Sequence, residues 1–410
     1  MAVRILEGDC RDVLRSLPAE SVQMAVTSPP YWGLRDYGIP PSIWDDDPDC
    51  SHEWGGVYVP PPGGKGTQSS GLNGAQTSAK YRERLQEQHQ MKGVTTHFCA
   101  RCGAWAGAFG LEPTYQLYVE HAVEVFREVR RVLRPDGVLF LNLGDSYCSG
   151  GRATWRSGAS ENKGQDVLND MPRPAQPADL KPKDLIGIPW RVAFALQSDG
   201  WWLRQDIIWS KPNPMPESVT DRCTKAHEYL FLMTKGERYH YDAEAIKEAS
   251  ITEDPRRPYT SEGAWQLDGR PAEQRHGGKP RTAGNKSHKY VEAYEASDTE
   301  EHRTKAGLMK VADVPWTFRN KRSVWTIATA PYPDAHFATF PPDLVEPCIL
   351  AGCPAGGTVL DPFFGAGTTA LVADRLGRDC IGIELNPEYA AMARKRLIAD
   401  AGMFAEVAAQ

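Results

Sequence analysis

The chain has 410 residues, a formal net charge of −6 and an ordinary globular composition, with 41% apolar and 24% charged residues. This length allows two or three compact units with a real core, and the acidic balance excludes a global nucleic-acid-binding charge, so any such face must be local. No apolar run approaches the roughly 20 residues that span a bilayer, and the nine cysteines predict reduced thiols, with room for a metal site, rather than a disulfide framework.

The first predicted elements are short strands and a short helix. The opening residues MAVRILEGDC predict a strand over 4–7 rather than an export signal, and 12–21 follows as a helix. An apolar strand over 22–27 then leads into Ser28-Pro29-Pro30-Tyr31, within TSPPYWGL. Two prolines directly after a strand stop its hydrogen-bond ladder and fix a rigid turn. Such a turn suits a site that presents a carbonyl in one orientation.

The middle of the chain alternates regular elements with loops. The regular elements predicted here are helices over 120–133 and 185–196 and strands over 138–143, 203–209 and 229–233. Residues 44–110 contain PPPGG and a Gly/Ser/Gln run, which cannot build a core and predict a mobile loop. A second Pro- and Gly-rich loop covers 149–183, and the segment 248–322 is polar with few apolar residues.

The C-terminal segment has the order strand, glycine turn, helix, strand and acidic residue. A strand over 358–361 leads into DPFFGAGT, a helix covers 369–376, and a strand over 380–384 ends at Glu384. This order is typical of the nucleotide-binding half of a doubly wound α/β sheet. The loop lacks the third glycine of the dinucleotide fingerprint, and Asp361 places an anion where a pyrophosphate would bind.

The charges of this loop favour S-adenosylmethionine over a dinucleotide. S-adenosylmethionine carries an ammonium, a carboxylate and a sulfonium but no phosphate, so an acid beside a glycine turn matches it. Glu384 lies at the tip of the next strand, where a carboxylate can accept hydrogen bonds from both ribose hydroxyls. A nicotinamide-binding Rossmann fold is the alternative.

The two motifs together resemble those of DNA amino-methyltransferases of the permuted (β) class, found in bacteria and their phages. The resemblance implies an α/β fold with a Rossmann-like S-adenosylmethionine-dependent methyltransferase sheet, in a circularly permuted order in which the amine-binding motif precedes the cofactor loop. The cofactor-binding residues that it implies are Asp9, Phe340, Asp361, Phe363, Gly365, Gly367, Thr368 and Glu384. Asp9 would accept from the adenine amine, although an Asp before RDVLRSL also suits a helix N-cap. Phe340 belongs to HFATFPPDL, which resembles the segment lining the methionine end.

The SPPY motif predicts methylation of an exocyclic amine, which needs placement rather than a covalent nucleophile. Ser28 offers a side-chain oxygen and Pro29 a carbonyl for the two amine hydrogens, while Tyr31 offers a ring that stacks on a flipped base. We therefore assign Ser28, Pro29, Pro30 and Tyr31 to catalysis; alone, this string would also fit a simple strand-ending turn. The Pro-Cys pair at Cys348 lies in an apolar helical stretch, which argues against carbon methylation. The resemblance favours cytosine N4 as the target, because serine stands at the head of the motif, with adenine N6 as the alternative.

Two Cys-containing pairs flank the first loop and predict a structural zinc site. Cys50 and His52 form one pair, Cys99 and Cys102 the other, and together they complete a Cys3His tetrahedron. His97 is a competing ligand, and four unrelated loop residues are the alternative. A metal would also stabilise an insertion that has too few apolar residues to fold alone.

Basic and aromatic side chains are interleaved over 250–322, inside an otherwise acidic chain. In the permuted class this position implies target recognition; a solvated insertion is the alternative. The predicted organisation is a base-binding half over 1–45 and 111–249, a zinc-knuckle insertion over 46–110, a target-recognition insertion over 250–325 and a cofactor half over 326–410.

The whole sequence therefore predicts a site-specific DNA methyltransferase that acts on double-stranded DNA. The alternatives are methylation of an RNA base or a protein amide, and a non-catalytic, zinc-containing nucleic-acid-binding protein. We expect a cytoplasmic location in a bacterium or a phage-infected host, and no membrane partner. A homodimer and a cognate restriction nuclease are compatible with the sequence, which implies neither.

Overall fold

The computed structural model describes residues 2–34, 37, 39, 41–56, 97–148, 179–249, 318–330, 340–401 and 407–409. Three predicted segments lie wholly or largely outside these residues. They are the middle of the first predicted loop, most of the second predicted loop and most of the predicted target-recognition segment. The chain divides into two units, one comprising Met1–Ala245 with Arg322–Gln410 and the other Ile246–Lys321. In the described part of the chain, no helix is long and apolar enough to cross a membrane.

The described strands and helices belong to an α/β architecture. The strands are β1 (Val3–Glu7), β2 (Val22–Thr27), β3 (Ser42–Trp44), β4 (Trp54–Gly56), β5 (Phe98–Cys99), β6 (Trp105–Gly107), β7 (Leu133–Leu143), β8 (Trp202–Ser210), β9 (His227–Thr234), β10 (Glu248–Ala249), β11 (Phe318–Arg319), β12 (Val324–Thr326), β13 (Thr358–Asp361), β14 (Asp379–Glu384) and β15 (Val407–Ala409). The helices are α1 (Cys10–Ser16), α2 (Tyr115–Val132), α3 (Ile188–Ser198), α4 (Pro342–Gly352), α5 (Thr368–Arg375) and α6 (Pro387–Ala401).

A nine-stranded mixed sheet forms the first unit, in the order β12-β8-β9-β7-β2-β13-β14-β1-β15. Only β9 runs antiparallel to its neighbours, β7 and β8. The chain leaves β13 towards β14 and leaves β2 towards β7, so these neighbouring strands form a topological switch point. Ligands of open α/β sheets bind in the crevice outside the carboxyl ends of the strands at such a point.

The central strands are apolar because helices cover both faces of the sheet. Every residue of β2 is buried, and its bounds match the predicted strand. Helix α2 begins earlier than predicted because the hydroxyl of Thr114 accepts a hydrogen bond from the amide of Leu117 at 3.2 Å. Strand β7 also begins earlier than predicted, because Leu133 pairs with Val22 before an irregularity at the Pro-Asp-Gly turn.

A separate four-stranded antiparallel sheet, in the order β3-β6-β5-β4, was not predicted. Its strands have two or three residues each, and its core contains the buried side chains of Trp44, Phe98 and Trp105. It begins at Ser42, four residues before the predicted start of the insertion. The second unit contains the two-residue ladder of β10 and β11, in which Arg319 Nε donates to Glu248 Oε1 at 2.8 Å.

Candidate active site and metal centre

One hydrogen bond joins the two predicted motifs at the switch point. Thr27, the last residue of β2, donates from Oγ1 to Asp361 Oδ1 at 2.6 Å. Thr369 donates to the other carboxylate oxygen at 2.6 Å, and the amide of Phe363 donates to Oδ1 at 3.1 Å. Burial raises the pKa of Asp361 to about 6, although these three bonds oppose the rise. Both carboxylate oxygens of Asp361 thus accept hydrogen bonds from the protein. Asp361 thereby fixes the conformation of the glycine loop.

The glycine loop is open on one side and tightly packed on the other. Gly365 has φ +52°, and no atom lies within 4 Å of the position that its Cβ would take. Gly367 has φ +75° and begins α5, with its Cβ position 3.0 Å from Ala393. On the packed side, a Cβ at Gly382 would lie 2.2 Å from the ring of Phe364. Sequence reasoning missed this Phe364–Gly382 contact, which fixes the loop against β14.

Glu384 is held at the end of β14, beside the open side of the loop. Its Oε2 accepts from the amide of Gly365 at 2.7 Å and its Oε1 from that of Asn386 at 2.8 Å. Burial raises its pKa. Each oxygen retains lone pairs, so the carboxylate can still accept from a vicinal diol. Thr368 is buried, and its hydroxyl accepts from Arg396 Nη1 at 2.9 Å.

Asp9 is the N-cap of α1, the alternative that the sequence left open. Its Oδ1 accepts from the amide of Arg11 at 2.9 Å, and the Arg11 guanidinium forms two further bonds with the carboxylate at 3.1 and 2.9 Å. Burial would raise the pKa of Asp9, but Arg11 outweighs it and lowers the pKa. The guanidinium lies 3.7 Å over the ring of Trp44. The amide of Gly8 donates to the carbonyl of Glu384 at 3.0 Å, so Asp9 borders the same edge of the sheet.

Two phenylalanines predicted to contact the cofactor lie on different sides of the motifs. Phe363 is half-buried and stacks on Phe109, with ring centroids 5.6 Å apart. Phe340 is half-buried and lines a small gap with Thr27 and Asn142. The residues before it in HFATFPPDL, 336–339, lie outside the described residues.

The predicted acceptors of the SPPY turn differ in their hydrogen bonds and in their burial, Ser28 being half-buried and Pro29 buried. The hydroxyl of Ser28 donates to the Tyr31 hydroxyl at 3.0 Å. The carbonyl of Pro30 accepts from the Tyr118 hydroxyl at 2.8 Å, which anchors the turn to α2. The carbonyl of Pro29 has no hydrogen-bond partner among the residues described. The role of this carbonyl as an acceptor for the amine stays a prediction.

Tyr31 is fixed by groups that the sequence did not single out. Its hydroxyl donates towards Glu228 Oε2 at 2.8 Å and Asn142 Oδ1 at 3.0 Å. A Cβ at Gly144 would lie 2.5 Å from the Tyr31 ring, so one ring face packs on this glycine. Glu228 also pairs with Lys211. Because β9 runs against its neighbours, its first residues, rather than its last, reach the site; no local pattern in the sequence reveals that direction.

An ionic cluster near the SPPY turn joins buried His121 and Glu112 to exposed Asp45. His121 Nδ1 is 3.0 Å from Glu112 Oε1, and its Nε2 is 3.2 Å from Asp45 Oδ2. Burial lowers the pKa of His121, but the bonds to Asp45 and Glu112 outweigh it and raise the pKa. Trp32, the residue directly after the SPPY motif, donates from Nε1 to the carbonyl of Glu112 at 2.9 Å. Trp44 stacks on His121 at 4.3 Å, so the small sheet packs against this ionic cluster.

The predicted metal ligands Cys50, His52, Cys99 and Cys102 converge. Their ligand atoms all lie within 4.8 Å of one another, and His97 is not among them. Cys50 Sγ is 3.8 Å from Cys99 Sγ, and Cys102 Sγ is 3.5 Å from His52 Nδ1. Tetrahedral zinc, with bonds of about 2.3 Å to sulfur and about 2.0 Å to nitrogen, requires spacings of about 3.8 and about 3.5 Å. The arrangement fits such an ion.

Groups around the cluster also suit a metal. His52 Nε2 is 2.9 Å from Asp46 Oδ1, as in the carboxylate–histidine–metal arrangements that fix the ring orientation. The amides of Glu53 and Arg101 each donate to Cys99 Sγ at 3.4 Å. Gly103, with φ +83°, allows the tight turn after Cys102. Asp46 was missed from the sequence because nothing in DDDPDCSH distinguishes it from its acidic neighbours.

Comparisons with known proteins show the family to which this chain is similar. A family model described as DNA methylase, for N6 and N4 methyltransferases, matches residues 22–395. The type II methyltransferase M.SmaI of Serratia marcescens is 38% identical over 395 residues, covering 96% of this chain and 90% of the relative. M.Cfr9I of Citrobacter freundii is 37% identical over 393 residues, covering 96% and 87%. Among solved structures, PvuII DNA methyltransferase (cytosine-N4-specific) has a TM-score of 0.47 and 16% identity, covering 96% of this chain and 87% of that one.

Proposed function

This chain belongs to the N6/N4 DNA methylase family, and we propose that it methylates the exocyclic amine of a flipped base in double-stranded DNA, with S-adenosylmethionine as the donor. The observation that carries the proposal is the 2.6 Å bond between Thr27 and Asp361. It joins the strand that ends in SPPY to the strand that ends in the glycine loop. A base held by the first motif and a methyl donor held by the second therefore meet at one switch point.

The residues of the cofactor half suit S-adenosylmethionine, which supplies a methyl group on a cationic sulfur. Glu384 accepts from the two ribose hydroxyls through the lone pairs left free by Gly365 and Asn386. The open side of Gly365 admits the ligand to the backbone. We propose that Phe363, Thr368 and Gly367 shape the pocket, with Phe340 at the methionine end. Asp361 positions the loop, and Asp9 borders the adenine end.

A matched glycine pair tests this pocket. Gly365 and Gly356 both have positive φ, +52° and +73°, and neither has an atom within 4 Å of its Cβ position. Alanine at either position therefore brings similar backbone strain. We expect Gly365→Ala to weaken S-adenosylmethionine binding at least tenfold by calorimetry, and Gly356→Ala to leave it within about twofold, because each 1.4 kcal/mol changes affinity tenfold. Equal affinities in the two variants would move the cofactor elsewhere.

In the base-binding half, Ser28 and Pro29 accept the two amine hydrogens. The nitrogen lone pair, otherwise conjugated with the ring, is then directed at the methyl carbon. Bound S-adenosylmethionine would supply the methyl group, with a nitrogen–carbon bond replacing the carbon–sulfur bond and the amine proton passing to water. Tyr31 stacks on the base with the ring face opposite Gly144, and Pro30 holds the turn to Tyr118. Fixed alignment of this kind lowers the barrier by several kcal/mol without a covalent intermediate.

We propose cytosine N4 as the target, on the ground that serine heads the motif; adenine N6 is the second candidate. The test is mass spectrometry of nucleosides from DNA of a host that expresses the protein. N4-methylcytosine is expected, and it should disappear with Ser28→Ala while cofactor affinity persists. N6-methyladenine alone would overturn the base, 5-methylcytosine would overturn the mechanism, and an unmodified genome would overturn the activity.

We propose that Cys50, His52, Cys99 and Cys102 bind one structural zinc ion. The matched spacings of 3.8 and 3.5 Å support it, and four protein ligands leave no open position for catalysis. Purified protein should contain about one equivalent of zinc, and Cys99→Ser with Cys102→Ser should lose it. Cys223→Ser, which changes an exposed thiol outside the cluster, is the control. Metal content near zero in unmodified, untreated protein contradicts the site.

We also propose the domain organisation that the sequence predicts. We propose that residues 250–325 select the DNA sequence, supported by their interleaved basic and aromatic side chains. The relatives are type II methyltransferases of bacteria. We therefore propose a role in restriction–modification, in the cytoplasm of a bacterium or a phage-infected host.

A further inference from the structure

The hydroxyl of Ser28 lies at one end of a chain of hydrogen bonds. It is 3.0 Å from the Tyr31 hydroxyl, which is 2.8 Å from Glu228 Oε2 and 3.0 Å from Asn142 Oδ1. The amide nitrogen of Asn142 donates to the carbonyl of Tyr229 at 3.1 Å, so the amide oxygen must face the phenol. Four polar groups from β7, β9 and the SPPY turn therefore meet beside the proposed base pocket.

The number of hydrogens that each group carries fixes the direction of these hydrogen bonds. A phenol has one hydrogen, whereas a carboxylate and an amide oxygen only accept. The Tyr31 hydrogen is therefore directed at Glu228 or Asn142 and is not available to Ser28. The hydrogen in the 3.0 Å contact must be that of Ser28. Both lone pairs of the Ser28 oxygen are consequently left for a donor from outside.

The far end of the chain is anchored. Glu228 pairs with Lys211, and both side chains are only 17% exposed. The Lys211 ammonium lies 4.2 Å from the centre of the Trp209 ring, which limits its movement. Burial, and then the charge of Glu228, raises the pKa of Tyr31, so the phenol keeps its hydrogen.

We propose that Glu228, anchored by Lys211, and the Tyr31 hydroxyl are positioning groups that turn Ser28 into a pure hydrogen-bond acceptor for the target amine. A free serine hydroxyl can rotate and either donate or accept. A donating hydroxyl would oppose the amine hydrogens of the base and would favour a carbonyl in their place. An aspartate carboxylate at this position would accept without such help. This arrangement of Glu228, Tyr31 and Ser28, the relay, is needed because the motif begins with serine. This inference rests on the proposed function.

The relay is tested by discrimination between an amine and a carbonyl at the same ring position. The probes are duplexes that contain the mapped target site with either cytosine or uracil at the target position. Their affinities are measured by fluorescence anisotropy with S-adenosylhomocysteine present. If adenine is the target, hypoxanthine replaces it as the carbonyl probe. Tyr31→Phe keeps the ring but releases the Ser28 hydroxyl. We expect it to reduce the preference for the amine about fivefold, the value of one ordinary hydrogen bond.

Two further variants distinguish positioning from a general structural effect. Glu228→Gln should reduce the preference in the same direction as Tyr31→Phe. Tyr239→Phe removes a phenol that contacts Arg204 at 3.0 Å and should leave the preference unchanged. When Ser28→Asp is the parent, Tyr31→Phe should have less than about a twofold effect, because an ionised carboxylate only accepts and needs no orientation.

The outcomes of these experiments distinguish a failure of the relay from a failure of the proposed methyltransferase activity. An unchanged amine preference in Tyr31→Phe overturns the relay, and so does an equal loss in the Ser28 and Ser28→Asp parents. If Ser28→Asp does not bind DNA, the preference of the single Tyr31→Phe variant decides alone. Failure of the proposed function shows separately, as an absence of methylated nucleosides from the unmodified protein.

Discussion

The bond from Thr27 to Asp361 should contribute more to stability than a buried threonine bond to a neutral acceptor. Thr27→Val keeps the shape of the side chain and removes only the donor. Thr234 is the matched control, since both threonines are fully buried and Thr234 donates to the neutral carbonyl of Gly236 at 2.8 Å. Hydrogen bonds to charged groups contribute about 1.5–3 kcal/mol and neutral ones about 0.5–1.5 kcal/mol. Thr27→Val should therefore cost about 1 kcal/mol more than Thr234→Val at about pH 8.

The pH dependence of the stability cost of Thr27→Val provides a second test of this prediction. The Thr27 bond stabilises the ionised carboxylate, and the pKa of Asp361 is about 6. The extra contribution is thus present above about pH 6 and is lost as the pH falls and the carboxyl takes up its proton. Urea unfolding followed by tryptophan fluorescence, at about pH 8 and about pH 5, should show the gap between the two variants closing at the lower pH. Equal costs at about pH 8, or a gap independent of pH, would refute the reasoning.

Two other changes probe the packing around the site. Gly382→Ala places a methyl group 2.2 Å from the Phe364 ring and should cost about 1–3 kcal/mol of unfolding free energy; Phe364→Leu in the same chain should restore part of it, and full stability of the single variant would contradict the contact. His121→Asn should destabilise the protein because buried Glu112 loses its partner. Since the folded-state pKa of His121 is raised, its contribution is fully present below about pH 6.5 and is lost as the pH rises through the folded value. The stability difference between unmodified protein and His121→Asn should therefore shrink as the pH rises, and a constant difference would show that the imidazole charge is not involved.

The elements bounded by strong local signals were predictable. Strands β2 and β13 have the predicted bounds, because the first is followed by a proline pair and the second leads into the glycine loop. The start of α2 was missed because the Thr114 cap lies outside the apolar stripe on which the prediction was based. The small sheet was missed because strands of two or three residues are too short to show periodicity.

The site residues that could be predicted were likewise those with a local signal in the sequence. The motif residues and the four candidate metal ligands could be named because each motif is contiguous and the two members of each ligand pair are closely spaced in the sequence. Glu228 and Lys211 could not, since their approach to Tyr31 depends on the direction of β9 within the sheet. For Asp9, the sequence left two roles open, and a contact with Arg11 two residues later shows it as an N-cap. Its predicted contact with the cofactor stays a prediction.

The position of β13 has a consequence for synthesis of the chain. Strands β1 and β2 are made early, yet β13 and β14 must later insert between them, and Asp361 follows Thr27 by 334 residues. Until then β2, an apolar strand buried on both faces in the native sheet, has one unpaired edge, which is a hazard for aggregation on the ribosome. Pairings this distant in sequence also slow folding. Because β13 carries the cofactor loop and also closes the edge beside the SPPY turn, a nascent chain should gain both binding activities in a single late step.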